Sequence, residues 1–177
     1  MATPNRKKMV TAVFRDRYNA ELAFEALRRR GYRDNEINVL MSENTRTTYY
    51  SNKEEGKMSS GSKVGEGAAV GGAVGTAVGA GIAAVLAIGT TVAIPGLGWI
   101  VAGPIAAALA GGGAGAVAGG LIGALVGLGI PESNAHAYEK ILRSGGVAIG
   151  VVPRSDDEAS EIKDEFQRLE GENICYC

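Results

Sequence analysis

The chain has 177 residues, 27 of them glycine, and a formal net charge of −1. That length holds one ordinary domain or a small domain with an insertion, and the charge lacks the basic surplus of a nucleic-acid footprint. The glycines show no Gly-X-Y period and alternate with Val, Ala, Ile and Leu rather than Ser, which excludes collagen and a flexible linker.

Arg6-Lys7-Lys8 imitates the start of a signal peptide, but the apolar run from Met9 to Phe14 is short and ends at Arg15, so no export is expected. Met9–Phe14 is rich in β-formers and reads as a strand. A helix is expected from near Asn19, with Ala20, Ala23, Phe24 and Leu27 as its buried stripe. Arg28 to Arg30 suit its C-terminal dipole, and Gly31 stops it. Ile37–Met41 is the second strand. Residues 43–63 are polar and without an apolar period, and read as a linker in which Tyr49 and Tyr50 are incidental.

From Gly67 to Ile130 no residue is charged, and glycine recurs every fourth position. Gly67, Gly71, Gly75 and Gly79 form one ladder; Gly111, Gly115, Gly119, Gly123 and Gly127 form another. Residues four apart share a helix face, so each GxxxG ladder predicts a smooth groove where a second backbone can approach. Glycine costs about 1 kcal/mol relative to alanine in an exposed helix, so nine in register predict a partner helix. Pro95, Gly96 and Gly98 are the expected turn of a helical hairpin.

Pro131 opens the next expected helix, with Ala135, Tyr138, Ile141 and Leu142 on one side and Gly145-Gly146 at its end. Val147–Val152 is the third strand. Ser155-Asp-Asp-Glu158 has the form of a capping box, followed by a stripe of Ala159, Ile162, Phe166 and Leu169 that stops at Gly171. Asn173–Cys177 is a short last strand. Residues 1–42 and 131–177 together give strand, helix, strand twice. The expected class is therefore α+β, a discontinuous ferredoxin-like split-βαβ domain interrupted by a glycine-zipper hairpin over 64–130.

These residues carry a resemblance. Val13-Phe14, Asn19-Ala20-Glu21, Leu27, Gly31-Tyr32 and Ile37-Asn-Val-Leu40 begin it. Gly67-Ala-Ala-Val-Gly71-Gly72, Ala93-Ile-Pro-Gly-Leu-Gly98, the run from Gly119 to Glu132, Tyr138 and Gly145-Gly-Val147 continue it over nearly the whole chain. The chain resembles the small bacterial general-stress or low-temperature-induced proteins. The resemblance implies a link to stress and an apolar glycine-rich centre; it implies no reaction, catalytic residue or cofactor.

Parts for an enzyme are few. His136 is the single histidine and reads as a surface or boundary residue. Cys175 and Cys177 could hold a soft metal or bond between subunits, but read as two buried thiols, and the missing disulfide framework suits a reducing interior. Gly113-Ala-Gly115-Ala-Val-Ala118 has the G-x-G-x-x-A form but no preceding strand, so no dinucleotide is expected. No catalytic residue, cofactor, metal, nucleic acid or small-molecule substrate is predicted.

A helix from Gly67 to Ile94 would run roughly 42 Å at 1.5 Å per residue, and a bilayer core needs about 20 residues. Gly75–Ile94 and Ile100–Leu121 would serve as two spans, with Trp99 at the far interface. The expectation is a non-enzymatic homo-oligomer whose hairpin inserts into or coats the cytoplasmic membrane, the α/β domain lying in the cytoplasm. A cytoplasmic particle, shell or filament with hairpins packed inside is the alternative. A free monomer would expose far more apolar surface than the few hundred Å² soluble monomers tolerate.

Overall fold

The computed structural model describes residues 8–50, 80–87, 92–94, 98–106 and 114–177. Strand β1 (Val10–Phe14) is buried along its whole length. Helix α1 (Arg17–Arg29) starts slightly before the expected Asn19, because the Asp16 carboxylate caps it by accepting from Tyr18 N at 2.9 Å. Its end is a Schellman motif with Gly31 at φ +87: Tyr32 N–H bonds Leu27 O, and Gly31 N–H bonds Arg28 O. Strand β2 (Ile37–Ser42) follows.

The linker expected over 43–63 is corrected in its described part. Glu43–Tyr49 is a helix, α2, because Ser42 Oγ accepts from Thr45 N at 3.1 Å. Tyr50 is buried, its hydroxyl 3.3 Å from a Glu21 carboxylate oxygen. One cap and one buried ring order a stretch without any apolar period.

Helix α3 (Ala80–Ala87) and strands β3 (Val92–Ile94) and β4 (Trp99–Ala102) come next. Helices α4 (Ala114–Gly127) and α5 (Glu132–Arg143) precede strand β5 (Val147–Val151). Helix α6 (Asp156–Arg168) and strand β6 (Glu172–Tyr176) complete the described elements. Ser155 Oγ accepts from Glu158 N at 3.1 Å, whereas the Glu158 carboxylate reaches back to Arg154 N at 2.8 Å. The expected capping box is therefore displaced by one residue on its return bond.

The sheet is antiparallel, in the order β3-β4-β2-β5-β1-β6. Strands β1, β2, β5 and β6 interleave two βαβ units in the order β2-β5-β1-β6, and the class is α+β as expected. Helices α1, α3 and α6 cover one face, where Phe14 meets Phe166 edge-on at 5.6 Å between ring centroids. Helices α4 and α5 cover the other, with Leu121, Leu125, Tyr138, Ile141 and Leu142 against Val13, Leu40 and Val101. Alternate strand residues enter opposite cores, which is why β1 and β5 are buried without a polar side.

The largest correction concerns Val92–Ile94 and Trp99–Ala102. They were expected at the ends of two helices, yet β4 pairs with β2 and β3 pairs with β4. Trp99 lies opposite Ser42 and is buried, not at a distant interface. The expected second span therefore cannot begin at Ile100. Val, Ile and Trp favour an extended chain, and the open edge of β2 offers partners for the backbone groups of β4 that face it. Among the described residues, no helix is long and apolar enough to cross a membrane.

Helix α6 ends on an αL residue that is not glycine. Gly171 N–H bonds Phe166 O while Glu170, at φ 59, takes the left-handed position. That conformation costs an L-residue with a side chain about 1–2 kcal/mol, part of it offset by the Asn19 amide donating to Glu170 at 3.1 Å. Glu170→Gly should stabilise the protein by about 0.5–1 kcal/mol, read as a higher urea midpoint at unchanged slope.

Candidate assembly surface

Helix α4 has no charged residue and no polar face. Its inward side buries Leu121, Ala124 and Leu125 against the sheet and α5. A Schellman motif closes it: Ile130 N–H bonds Leu125 O, Gly129 N–H bonds Val126 O, and Gly129 sits at φ +99. Ile130 then packs in the same core as Leu125.

The outward side is apolar as well. Val126 is 42% exposed, Gly119 and Gly127 are exposed, and Ile122 and Gly123 are half-buried. A Cβ built on Gly119 or Gly127 would meet nothing within 4 Å. Among the described residues these ladder positions therefore have no close partner. Gly120, at φ 60 and ψ −149, breaks the helical geometry inside α4, so Gly115 and Gly119 do not continue one straight face with Gly123 and Gly127. Gly115 belongs to the same helix. Gly67, Gly71, Gly75, Gly79, Gly111, Pro95 and Gly96 lie outside the described residues. Gly98, at φ +67, stands directly before β4, where its carbonyl accepts from Glu43 N at 2.8 Å.

Glycine does mediate a close helix approach, at a position outside both ladders. A Cβ on Gly81 of α3 would fall 2.7 Å from the buried Phe24 ring of α1. The four-residue period picked out Gly79 and passed over Gly81. The signal that would have found it is the apolar stripe of α1, which needs a smooth partner opposite Phe24.

Beneath α4 lies a cleft of about 430 Å³, open mouth included, walled by Leu40, Val101, Leu121, Leu125 and Tyr138. Its polar groups satisfy one another. Buried Asn38 accepts from Ile105 N at 2.8 Å and donates to Gly150 O at 3.3 Å. The Tyr138 hydroxyl lies 2.9 Å from Thr11 Oγ1 and 3.0 Å from Asn173 O. Burial raises the pKa of Tyr138, and burial with the Glu21 charge raises that of Tyr50. Tyr32 is pushed up to about 12, first by burial and then by Glu158.

A phenol whose pKa is raised in the folded state favours the neutral form there. Its contribution is complete below the unfolded value near 10 and is lost as pH rises through the folded one. Unfolding free energy should thus fall steadily above about pH 10. Tyrosinate absorbance should show a late component that appears together with loss of the native circular dichroism.

The remaining sequence-based candidates separate. His136 on α5 is 60% exposed, 3.9 Å from Glu132. Cys175 and Cys177, expected as two thiols, are bonded to each other, since their spacing on one strand edge brings the side chains to the same side. Among the described residues, no group of three or more His, Cys, Asp or Glu is placed to hold a metal ion. The arrangement defines an α+β protein with a sheet covered on both faces and a helix, α4, that is apolar on both its sides. No family model, curated protein or solved structure matches the chain.

Proposed function

We propose that this is a non-enzymatic, stress-associated protein that acts by homo-oligomerisation, its glycine-rich apolar centre packing against copies of itself. The domain is read as ferredoxin-like, carrying that centre as an insertion. The observation that carries the reading is the outward side of α4, where Gly119, Val126 and Gly127 face solvent with no charge nearby in sequence. A helix apolar all round belongs in an interior, and bare glycines let another backbone approach. The stress link rests on the family resemblance alone.

A membrane coat is the second reading, favoured by the uncharged run from Gly67 to Thr91, longer than the roughly 20 residues a bilayer core requires. In that arrangement the α/β domain would lie on the cytoplasmic side, with β3 and β4 held in its sheet.

Light scattering in detergent-free buffer tests the main reading. The wild-type chain should form multimers, and G119L/G127L should fall to monomers. The open space at both glycines lets leucine enter without disturbing the fold, so the melting temperature should hold. A wild-type monomer in plain buffer would overturn self-assembly. Flotation of that monomer with liposomes would favour lipid instead.

A further inference from the structure

The two cysteines of the chain are joined to each other across a single residue, Tyr176, with their Cα atoms 5.7 Å apart. A disulfide stabilises chiefly by restricting the unfolded chain, in proportion to the loop it closes. A loop with one intervening residue is about the smallest possible, so this bond does little as a staple.

The backbone around it is already held by other means. Cys175 pairs with Thr11 in the ladder, and Met9 and Cys177 exchange two backbone hydrogen bonds, at 2.6 and 3.0 Å. Tyr176 points to the opposite face, where its hydroxyl donates to Asp156 at 2.6 Å and the Lys8 ammonium lies 5.2 Å from its ring. Opening the sulfur bridge leaves every one of these contacts in place. Buried Cys175 lies on β6, an edge strand of the sheet, and half-buried Cys177 directly follows that strand.

We propose that Cys175 and Cys177 form a dithiol–disulfide exchange site for low-molecular-weight thiols. The thiolate of the reductant attacks Sγ of Cys177, the more accessible sulfur. The Cys175–Cys177 bond breaks, and its electron pair leaves on Cys175 Sγ, which takes up a proton. A second reductant thiolate then attacks the reductant's sulfur in the mixed disulfide and releases the Cys177 thiolate, which is protonated in turn. Two electrons and two protons pass to the pair, and one reductant disulfide forms.

The test uses the full chain in anaerobic buffers of graded glutathione to glutathione disulfide ratio, quenched with acid, alkylated and weighed intact. The pair should pass reversibly between bridge and dithiol within that series. C175S should gain a glutathione adduct at Cys177 at least about ten times faster than C177S gains one at Cys175, because accessibility sets the rate. Reduction of the wild-type protein should lower the melting temperature by about 5 °C or less. A bridge that survives excess reduced glutathione would overturn the proposal, as would a dithiol that survives excess glutathione disulfide. Equal adduct rates in the two variants would do the same. So would a melting temperature that falls by more than about 5 °C, which marks a structural bond.

Discussion

Gly103→Ala is expected to lower the unfolding free energy by roughly 3 kcal/mol. Two independent costs add. Gly103 sits at φ +92, where a side chain costs about 1–2 kcal/mol. The new Cβ would also lie 2.4 Å from the Ile37 carbonyl oxygen, a backbone atom that cannot turn aside. Relieving that overlap requires β2 or the exit of β4 to shift, at about 1–3 kcal/mol for an overpacked core. Chemical denaturation should show the loss as a lower midpoint. An unchanged midpoint would mean that the chain leaves β4 differently.

Asn38→Leu tests the same joint from the other side, with about 2 kcal/mol expected. Leucine keeps the branched shape but removes the acceptor for Ile105 N–H and the donor for Gly150 O. Leaving a backbone donor without its partner costs about 1–3 kcal/mol. Hydrogen exchange should localise the damage, with the Ile105 amide losing protection while the β1–β5 ladder keeps its own. The added Cβ at position 103 would also lie 3.0 Å from Asn38 Oδ1. The double variant should therefore depart from additivity by at least about 0.5 kcal/mol.

This joint bears on the proposed self-assembly. Trp99–Ala102 is stitched to β2, and Asn38 then ties the residues after it back over β5. Strand β4 is thereby held in the α/β domain, and β3 with it through their pairing. A hairpin whose turn reaches the far side of a bilayer is incompatible with that anchorage. Self-association through α4 is compatible with it, since Gly119 and Gly127 face outward from the anchored domain.

Much of the outer framework is legible in the chain itself. β1, β2, β5 and β6 are legible as short runs of β-formers, and α1, α5 and α6 as apolar stripes at helical spacing, with Gly31, Pro131 and Ser155 among their bounds. The α1 stripe of Ala20, Ala23, Phe24 and Leu27 is buried as its spacing requires. The candidate surface is legible only in part. The period of four points to Gly119, Gly123 and Gly127, but not to the break at Gly120 or to the contact that Gly81 makes with Phe24. A period describes an ideal straight helix and carries no information about where one bends or what faces it.

Composition, capping residues and hydrophobic spacing by themselves determined the α+β class, the two βαβ units and the uncharged centre between them. Those are local properties, set by side-chain size and backbone preference within a few residues. The tertiary structure alone decided that Val92–Ile94 and Trp99–Ala102 are strands, that Tyr50 is a core residue and that the two sulfurs meet. An apolar run satisfies a helix and a strand equally well. The choice fell to β2, whose unpaired edge could be completed only by a chain in extended form.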